Sequence, residues 1–195
     1  MADIADIVVV GGGVHGASTA WHLAKRNAGK IVLIEKDAIA SGASGWSSAI
    51  VRMHYQLESL VKVTMYGREM YGDWENIVGV GESGFRKVGF LVLFPEDEIE
   101  HGHSVIKMQQ RLGIDARYIS RDEISQIEPR LSIEDVAAGA WEPNSGYADG
   151  STVANSFVAA ARSLGVEVRI GPEAVGLITV DEKITGVETS EGIIH

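Results

Sequence analysis

Three glycines and one glutamate carry the first chemical signal in this chain. Gly11, Gly13 and Gly16 stand in the spacing Gly-x-Gly-x-x-Gly, and Glu35 follows about 20 residues on, at the end of the next apolar run. Each position has a task. Gly11 permits a tight turn, Gly13 lets the backbone approach a pyrophosphate, and Gly16 lets the following helix lie close to the strand. Val14 and His15 open that helix, whose unpaired N–H groups and positive dipole end suit phosphates. Glu35 can accept hydrogen bonds from ribose hydroxyls and would repel a 2′-phosphate. The pattern predicts a site for FAD or NAD rather than NADP, and does not choose between the first two. A glycine turn with no ligand is the alternative; the full order of strand, glycines, helix, strand and acid argues against it.

Other residues with reactive side chains give less. His15 lies inside the phosphate loop and is expected to point away from it. His101-Gly102-His103 has no third ligand nearby in sequence and reads as a surface turn, so no metal site is expected. The chain has no cysteine, which excludes disulfides, thiolate metal sites, cysteine nucleophiles and a cysteine-tethered flavin.

The elements that must position these residues can be read from periodicity. Residues 4–10 and 31–35 are short β-branched runs typical of buried parallel strands, and 14–27 between them has the spacing of an amphipathic helix. Residues 41–48 form a small-residue loop. Residues 56–78 keep helical spacing, with an interruption expected near Gly67 or Gly72. Strands are expected at 88–94, 117–119 and 136–141, with a helix over 98–112. Ser120-Arg121-Asp122-Glu123 is a candidate capping box for a brief helix. Asp149-Gly150-Ser151 starts a helix running to Leu164, a strand follows at 166–170, and 175–180 with 184–189 read as a hairpin. Residues 193–195 begin a further strand. Trp21, Trp74 and Trp141 are core candidates.

The predicted architecture is α/β: a Rossmann-like, doubly wound parallel sheet that binds FAD or NAD, with a smaller mixed-sheet substrate domain inserted and the whole incomplete. The expected division is residues 1–84 and 144–195 for the nucleotide domain and 85–143 for the substrate domain. With 195 residues, 45% of them hydrophobic, the chain can bury such a core. A formal charge of −10 argues against nucleic acid or an anionic membrane as the main partner. The start of the chain is not expected to be a signal peptide, and no stretch approaches a membrane span, so a cytoplasmic location is expected by default.

Two stretches add a resemblance. Residues 45–55, Gly-Trp-Ser-Ser-Ala-Ile-Val-Arg-Met-His-Tyr, resemble the segment after the first nucleotide unit in monomeric sarcosine oxidases. Residues 141–149, Trp-Glu-Pro-Asn-Ser-Gly-Tyr-Ala-Asp, resemble the strand and turn that re-enter the flavin domain of those enzymes. The chain is therefore similar throughout to the amino-terminal half of the D-amino-acid oxidase family of FAD-dependent enzymes, in its sarcosine and glycine oxidase branch.

The resemblance implies FAD as cofactor. It implies that Gly11, Gly13, Gly16 and Glu35, with Val14 and His15, hold its ADP half. The loop carrying Ser41, Ser44, Gly45 and Ser48 would wrap the pyrophosphate and the near edge of the flavin, and Val175 would pair by backbone with adenine. Lys36 would lie near the adenosine edge, unless it is simply solvated. Arg52 would lie beside the flavin and grip the carboxylate of an amino-acid substrate, a task that suits a planar guanidinium. Its alternative is a structural arginine paired to an acidic neighbour. His54 could line the same pocket or be a packed histidine, and Trp46 could stack on the cofactor. Residues 41–48 contain no histidine to attach FAD covalently, and Gly45 and Ala49 stand where relatives carry basic residues, so substrate preference can differ.

The implied reaction is oxidation of the C–N bond of a small secondary or N-methyl amino acid by hydride transfer to flavin, with no catalytic acid or base named. Two alternatives stand beside it: a non-catalytic nucleotide-binding subunit, and an NAD-dependent dehydrogenase domain. Family members run to about twice this length, and a second polypeptide could supply the carboxyl-terminal half, including a lysine that helps oxygen react. An exposed sheet edge at Ile193-Ile194 is expected to invite partner pairing.

Overall fold

The computed structural model describes residues 3–195; Met1 and Ala2, where the absence of a leader was read, lie outside the described residues. In chain order the elements begin with β1 (Ile7–Val10), α1 (Val14–Lys25), β2 (Ile31–Glu35), α2 (Ala43–Trp46), β3 (Ile50–Val51), α3 (Glu58–Gly72) and α4 (Trp74–Ile77). Next come β4 (Phe90–Phe94), α5 (Ile99–Arg111), β5 (Arg117–Ser120), α6 (Arg121–Ile127), β6 (Ala138–Glu142) and β7 (Gly146–Tyr147). The chain closes with α7 (Gly150–Ser163), β8 (Glu167–Ile170), β9 (Ala174–Val180), β10 (Lys183–Thr189) and β11 (Gly192–Ile194).

The elements gather into two compact units. The first holds the chain up to Ala49, then Trp74–Gly84 and Asp149–His195; the second holds Ile50–Asp73 and Phe85–Ala148.

At the centre of the first unit is a parallel sheet of order β1-β2-β8. Its middle strand reads as an unbroken apolar run because both faces are covered: Val32, Leu33 and Ile34 are at most 1% exposed. Burying each contributes roughly 1.5–3 kcal/mol. Val32 and Ile34 pack against Val187 and Ile194 of an antiparallel meander, β9-β10-β11. Alternation turns Ile31 and Leu33 to the other face, along which α1 runs. Helix α1 in turn packs on α7. The Trp21 and Trp74 rings lie 5.5 and 4.7 Å from the Phe157 ring, and Trp74 donates its indole N–H to the Val80 carbonyl. Asp149 caps α7 by accepting the Thr152 N–H at 2.5 Å.

In the second unit, β6 is the middle strand between β4 and β5, and both pairings are antiparallel. Small residues on β6, Ala138 and Ala140, let Phe94, Ile106 and Ile114 close over the sheet with Met53 and Val61. The short β3 pairs with β7. The capping box at Ser120 forms with both of its reciprocal bonds, Ser120 Oγ to the Glu123 N–H and Glu123 to the Ser120 N–H.

Four local expectations need correcting. The edge at Ile193-Ile194 is not open: Ile194 is buried, and the outer side of the strand end bonds to the start of the chain, Ala5 N–H to the His195 carbonyl and His195 N–H to the Asp3 carbonyl, both at 2.8 Å. His101 and His103 lie in helix α5, not in a surface turn; two positions apart on a helix, they point away from one another. The 41–48 loop contains a helical turn, α2, closed by Trp46 N–H to the Gly42 carbonyl. Trp141 is only half-buried.

Candidate functional site

The first unit opens a cavity of about 500 Å³ where β1 and β2 end. It is lined by Gly13, His15, Glu35, Lys36, Asp37, Ser41, Gly42, Ala43, Ser44 and Trp46. This is the crevice beyond the carboxyl ends of parallel strands, where α/β sheets bind ligands. Gly11 and Gly16 have the local geometry their spacing predicts. Gly11 has φ +99°, a left-handed conformation costly for any other residue. A Cβ on Gly16 would stand 1.9 Å from the Gly11 carbonyl oxygen, so only glycine lets the helix approach the strand end this closely.

No side chain caps α1. The Val14 N–H donates to Ser44 Oγ at 2.9 Å, whereas the N–H groups of Gly13 and His15 have no hydrogen-bond partner among the described residues. Those two donors sit at the positive end of the helix, ready for an anion. Glu35 braces the loop from the opposite side: Oε2 accepts the Gly12 N–H at 2.6 Å and Oε1 the Asp37 N–H at 2.9 Å. A carboxylate has about four acceptor sites, so two remain for the hydroxyls of a ligand. Lys36 forms an exposed ion pair with Glu173 at 3.0 Å, whose hydrogen bond raises the lysine pKa.

Six residues read from the sequence, Gly13, His15, Glu35, Lys36, Ser41 and Ser44, line this one cavity. His15 therefore lies on its wall. Gly11, Val14 and Gly16 form the turn and first helical residues beside it. Gly45 serves packing, since a Cβ there would meet the Ala40 carbonyl oxygen at 2.4 Å. Ser48 and Val175 are exposed and lie outside the lining. Trp46 is 84% exposed, a large aromatic face held at the rim. Asp37 was not anticipated; its adjacency to Glu35 at a strand end was the available signal.

The second unit has a cavity of its own, about 410 Å³, whose wall includes Arg52, His54, Tyr55, Phe94, Glu98 and His101. The Arg52 guanidinium lies 4.9 Å from the Tyr55 ring centre and 5.1 Å from that of Phe90. Among the described residues, no carboxylate lies within ion-pair distance of it. The acidic neighbour of the structural alternative is thus not there, and two aromatic rings hold the cation instead. His54 is half-buried, and its pKa is lowered chiefly by burial, with Arg52 and His101 adding to the effect and Glu142 opposing it. Sequence reasoning missed the groups behind it, Gln109 and Glu142, both fully buried. A glutamine in phase with Gly102, Val105 and Ile106 on the buried face of α5 was the legible sign.

No helix of the described residues is long and apolar enough to cross a membrane. The family described as FAD dependent oxidoreductase matches residues 6–195. Sarcosine oxidase subunit beta of Arthrobacter sp is 26% identical over 206 residues, covering 97% of this chain and 48% of that protein. L-proline dehydrogenase from P. horikoshii superposes with a TM-score of 0.89 at 29% identity, covering 100% of this chain and 51% of that one. Glycine oxidase from Bacillus cereus ATCC 14579 superposes at 0.78 with 28% identity, covering 97% and 52%. The chain thus spans about half the length of these relatives.

Proposed function

Because the chain belongs to the DAO family of FAD-dependent oxidoreductases, we propose that it serves to oxidise the C–N bond of a small secondary or N-methyl amino acid. FAD, the cofactor of the family, takes the place of the NAD alternative. The residues fit it: two N–H groups at a helix start with no partner among the described residues, a glycine pair set by the positive φ of Gly11 and the close backbone approach at Gly16, and a carboxylate with acceptors to spare. When bound, FAD supplies an acceptor for the hydride lost from the carbon beside nitrogen, leaving an imine that water hydrolyses.

In this reading Gly13 and His15 hold the pyrophosphate by backbone, Glu35 holds the adenosine ribose, and Lys36, Ser41, Gly45, Ser48 and Val175 shape the rest of the nucleotide site. The first unit corresponds to the nucleotide domain expected at 1–84 and 144–195 and the second to the substrate domain expected at 85–143, although residues 50–73 and 144–148 fall in the second unit. Arg52 binds the substrate carboxylate with two parallel hydrogen bonds, and His54 stands beside it. The observation that carries the substrate class is Arg52, a cation with no acidic partner on the wall of a cavity. Candidate substrates are sarcosine, glycine, proline and dimethylglycine. We also place the enzyme in the cytoplasm, completed by further polypeptide equivalent to the rest of its relatives.

The test is anaerobic. A visible spectrum of the flavin-loaded enzyme is taken before and after adding an N-methyl amino acid, with loss of the flavin band expected. Arg52→Leu should weaken carboxylated substrates by ~100-fold, about 3 kcal/mol, and simple amines much less. Equal losses for both remove the role given to Arg52. A flavin that no amine reduces favours a nucleotide-binding subunit without catalysis.

A further inference from the structure

Behind the second cavity runs a chain of buried polar contacts that substrate binding by Arg52 does not use. Glu142 ends β6 with no exposed surface, and Gln109 on α5 has none either. Glu142 Oε2 accepts the Met53 N–H at 2.9 Å and the Ser145 hydroxyl at 2.7 Å; Oε1 accepts the side-chain amide NH2 of Gln109. All three donors are neutral groups. The other end of the Gln109 amide, Oε1, lies 3.1 Å from Nδ1 of His54.

Donor and acceptor chemistry fixes the direction of this chain. A carboxylate offers only lone pairs, so the Gln109 amide must turn its NH2 toward Glu142 and its carbonyl toward His54. A carbonyl also only accepts, so the proton must sit on His54 Nδ1. In a neutral imidazole the second nitrogen, Nε2, is then an acceptor. Among the described residues Nε2 has no hydrogen-bond partner, and His54 lines the cavity together with Arg52.

We infer that Glu142 and Gln109 are positioning residues that lock His54 in its Nδ1–H tautomer, so that the cavity offers a ligand one cation, Arg52, and one neutral acceptor, His54 Nε2. That pair matches a molecule carrying a carboxylate and an N–H donor, and excludes one whose second polar group can only accept. This ligand class rests on the function proposed above; the tautomer does not. The ionisable groups around His54 are Glu142 on β6, Arg52 near it in the chain, and His101 on α5, with Glu98 on the same cavity wall. Burial outweighs the attraction of Glu142 and keeps the imidazole neutral near pH 7.

Long-range proton–nitrogen correlation spectra of the protein labelled with 15N-histidine read the tautomer without flavin or substrate. The expected spectrum at pH 7 shows His54 protonated at Nδ1 and bare at Nε2. In Gln109→Leu, and in Glu142→Gln, where two amides can pair in either direction, both tautomers become populated. A wild-type His54 protonated at Nε2 overturns the inference even if neither variant folds, and so does an Nδ1–H form unchanged in both variants. Sarcosine added to the flavin-loaded wild type should then shift the Nε2 resonance, whereas acetate, which lacks the amine, should not. An intact tautomer with no response to sarcosine overturns the ligand class and leaves the lock standing.

Discussion

Replacing Gly16 by alanine tests the nucleotide site at its tightest point. The new Cβ would start 1.9 Å from the Gly11 carbonyl oxygen, whereas ordinary contact begins at 3.4 Å. Neither partner is the end of a flexible side chain, so the start of α1 must back away from the strand end by roughly 1.5 Å, an overpacking cost of ~1–3 kcal/mol. Better helix propensity offsets at most about 1 kcal/mol of that. The larger effect falls on the ligand, because the N–H groups of Gly13 and His15 move with the helix. Loss of one charge-assisted hydrogen bond, ~1.5–3 kcal/mol, weakens FAD by roughly 10- to 100-fold. Titration of FAD followed by quenching of its fluorescence, at a temperature where the variant stays folded, reads this directly. Gly67→Ala is the control. A Cβ there meets open space inside α3, so it should stabilise by about 0.5–1 kcal/mol and leave FAD affinity alone. If Gly16→Ala binds FAD as tightly as wild type, or if both variants lose affinity equally, the close-approach argument is wrong.

Glu35→Ala removes the acceptor for the Gly12 and Asp37 N–H groups together with the proposed ribose contact. FAD affinity should fall by ~10-fold or more in isothermal titration, the loss expected of about 1.4 kcal/mol; an unchanged affinity would free Glu35 of its role. Arg169 bonds to both Asp3 and Glu167 and holds both carboxyls below their ordinary values of 3.8 and 4.5. Groups depressed in this way add stability above those values and lose it as pH falls through the lower folded-state ones. Arg169→Met should therefore lower the urea midpoint at pH 7 and hardly change it at strongly acidic pH, where the wild type has already lost the contribution. An equal loss at both would point to packing by the arginine stem. The carboxyls are partly exposed, so the effect should also shrink in high salt.

What the sequence disclosed was whatever depends on neighbours along the chain. The glycine turn, the β1–α1–β2 unit, the Ser120 capping box and the β9–β10 hairpin all rest on local backbone preference and side-chain period, and each formed close to its expected bounds. The break in the long helix came at Asp73, directly after one of the two glycines named for it. What stayed hidden depends on partners far away in sequence. Nothing near Ile194 announces that residues 3–5 will bond along its outer side. Nothing near Gln109 announces a buried carboxylate 33 positions later. His101 and His103 read as a surface turn for want of a third ligand, although they fall inside the helix expected over 98–112; that helical period, which puts Gly102, Val105 and Ile106 on the buried face, was the sounder local cue.

The way the first unit is stitched together has a kinetic outcome. Its middle strand β2 gains its second neighbour only when β8 arrives, Val32 opposite Glu167, and Trp21 gains Phe157 only with α7. At the ribosome's pace of ~5–20 residues per second, that wait is on the order of ten seconds. The second unit needs nothing beyond Ala148, so it can condense while the glycine loop is still attached to a half-built sheet. The region made first is thus the last whose sheet is completed. Free FAD, which needs the finished crevice, should accordingly capture the chain late and speed none of the earlier events.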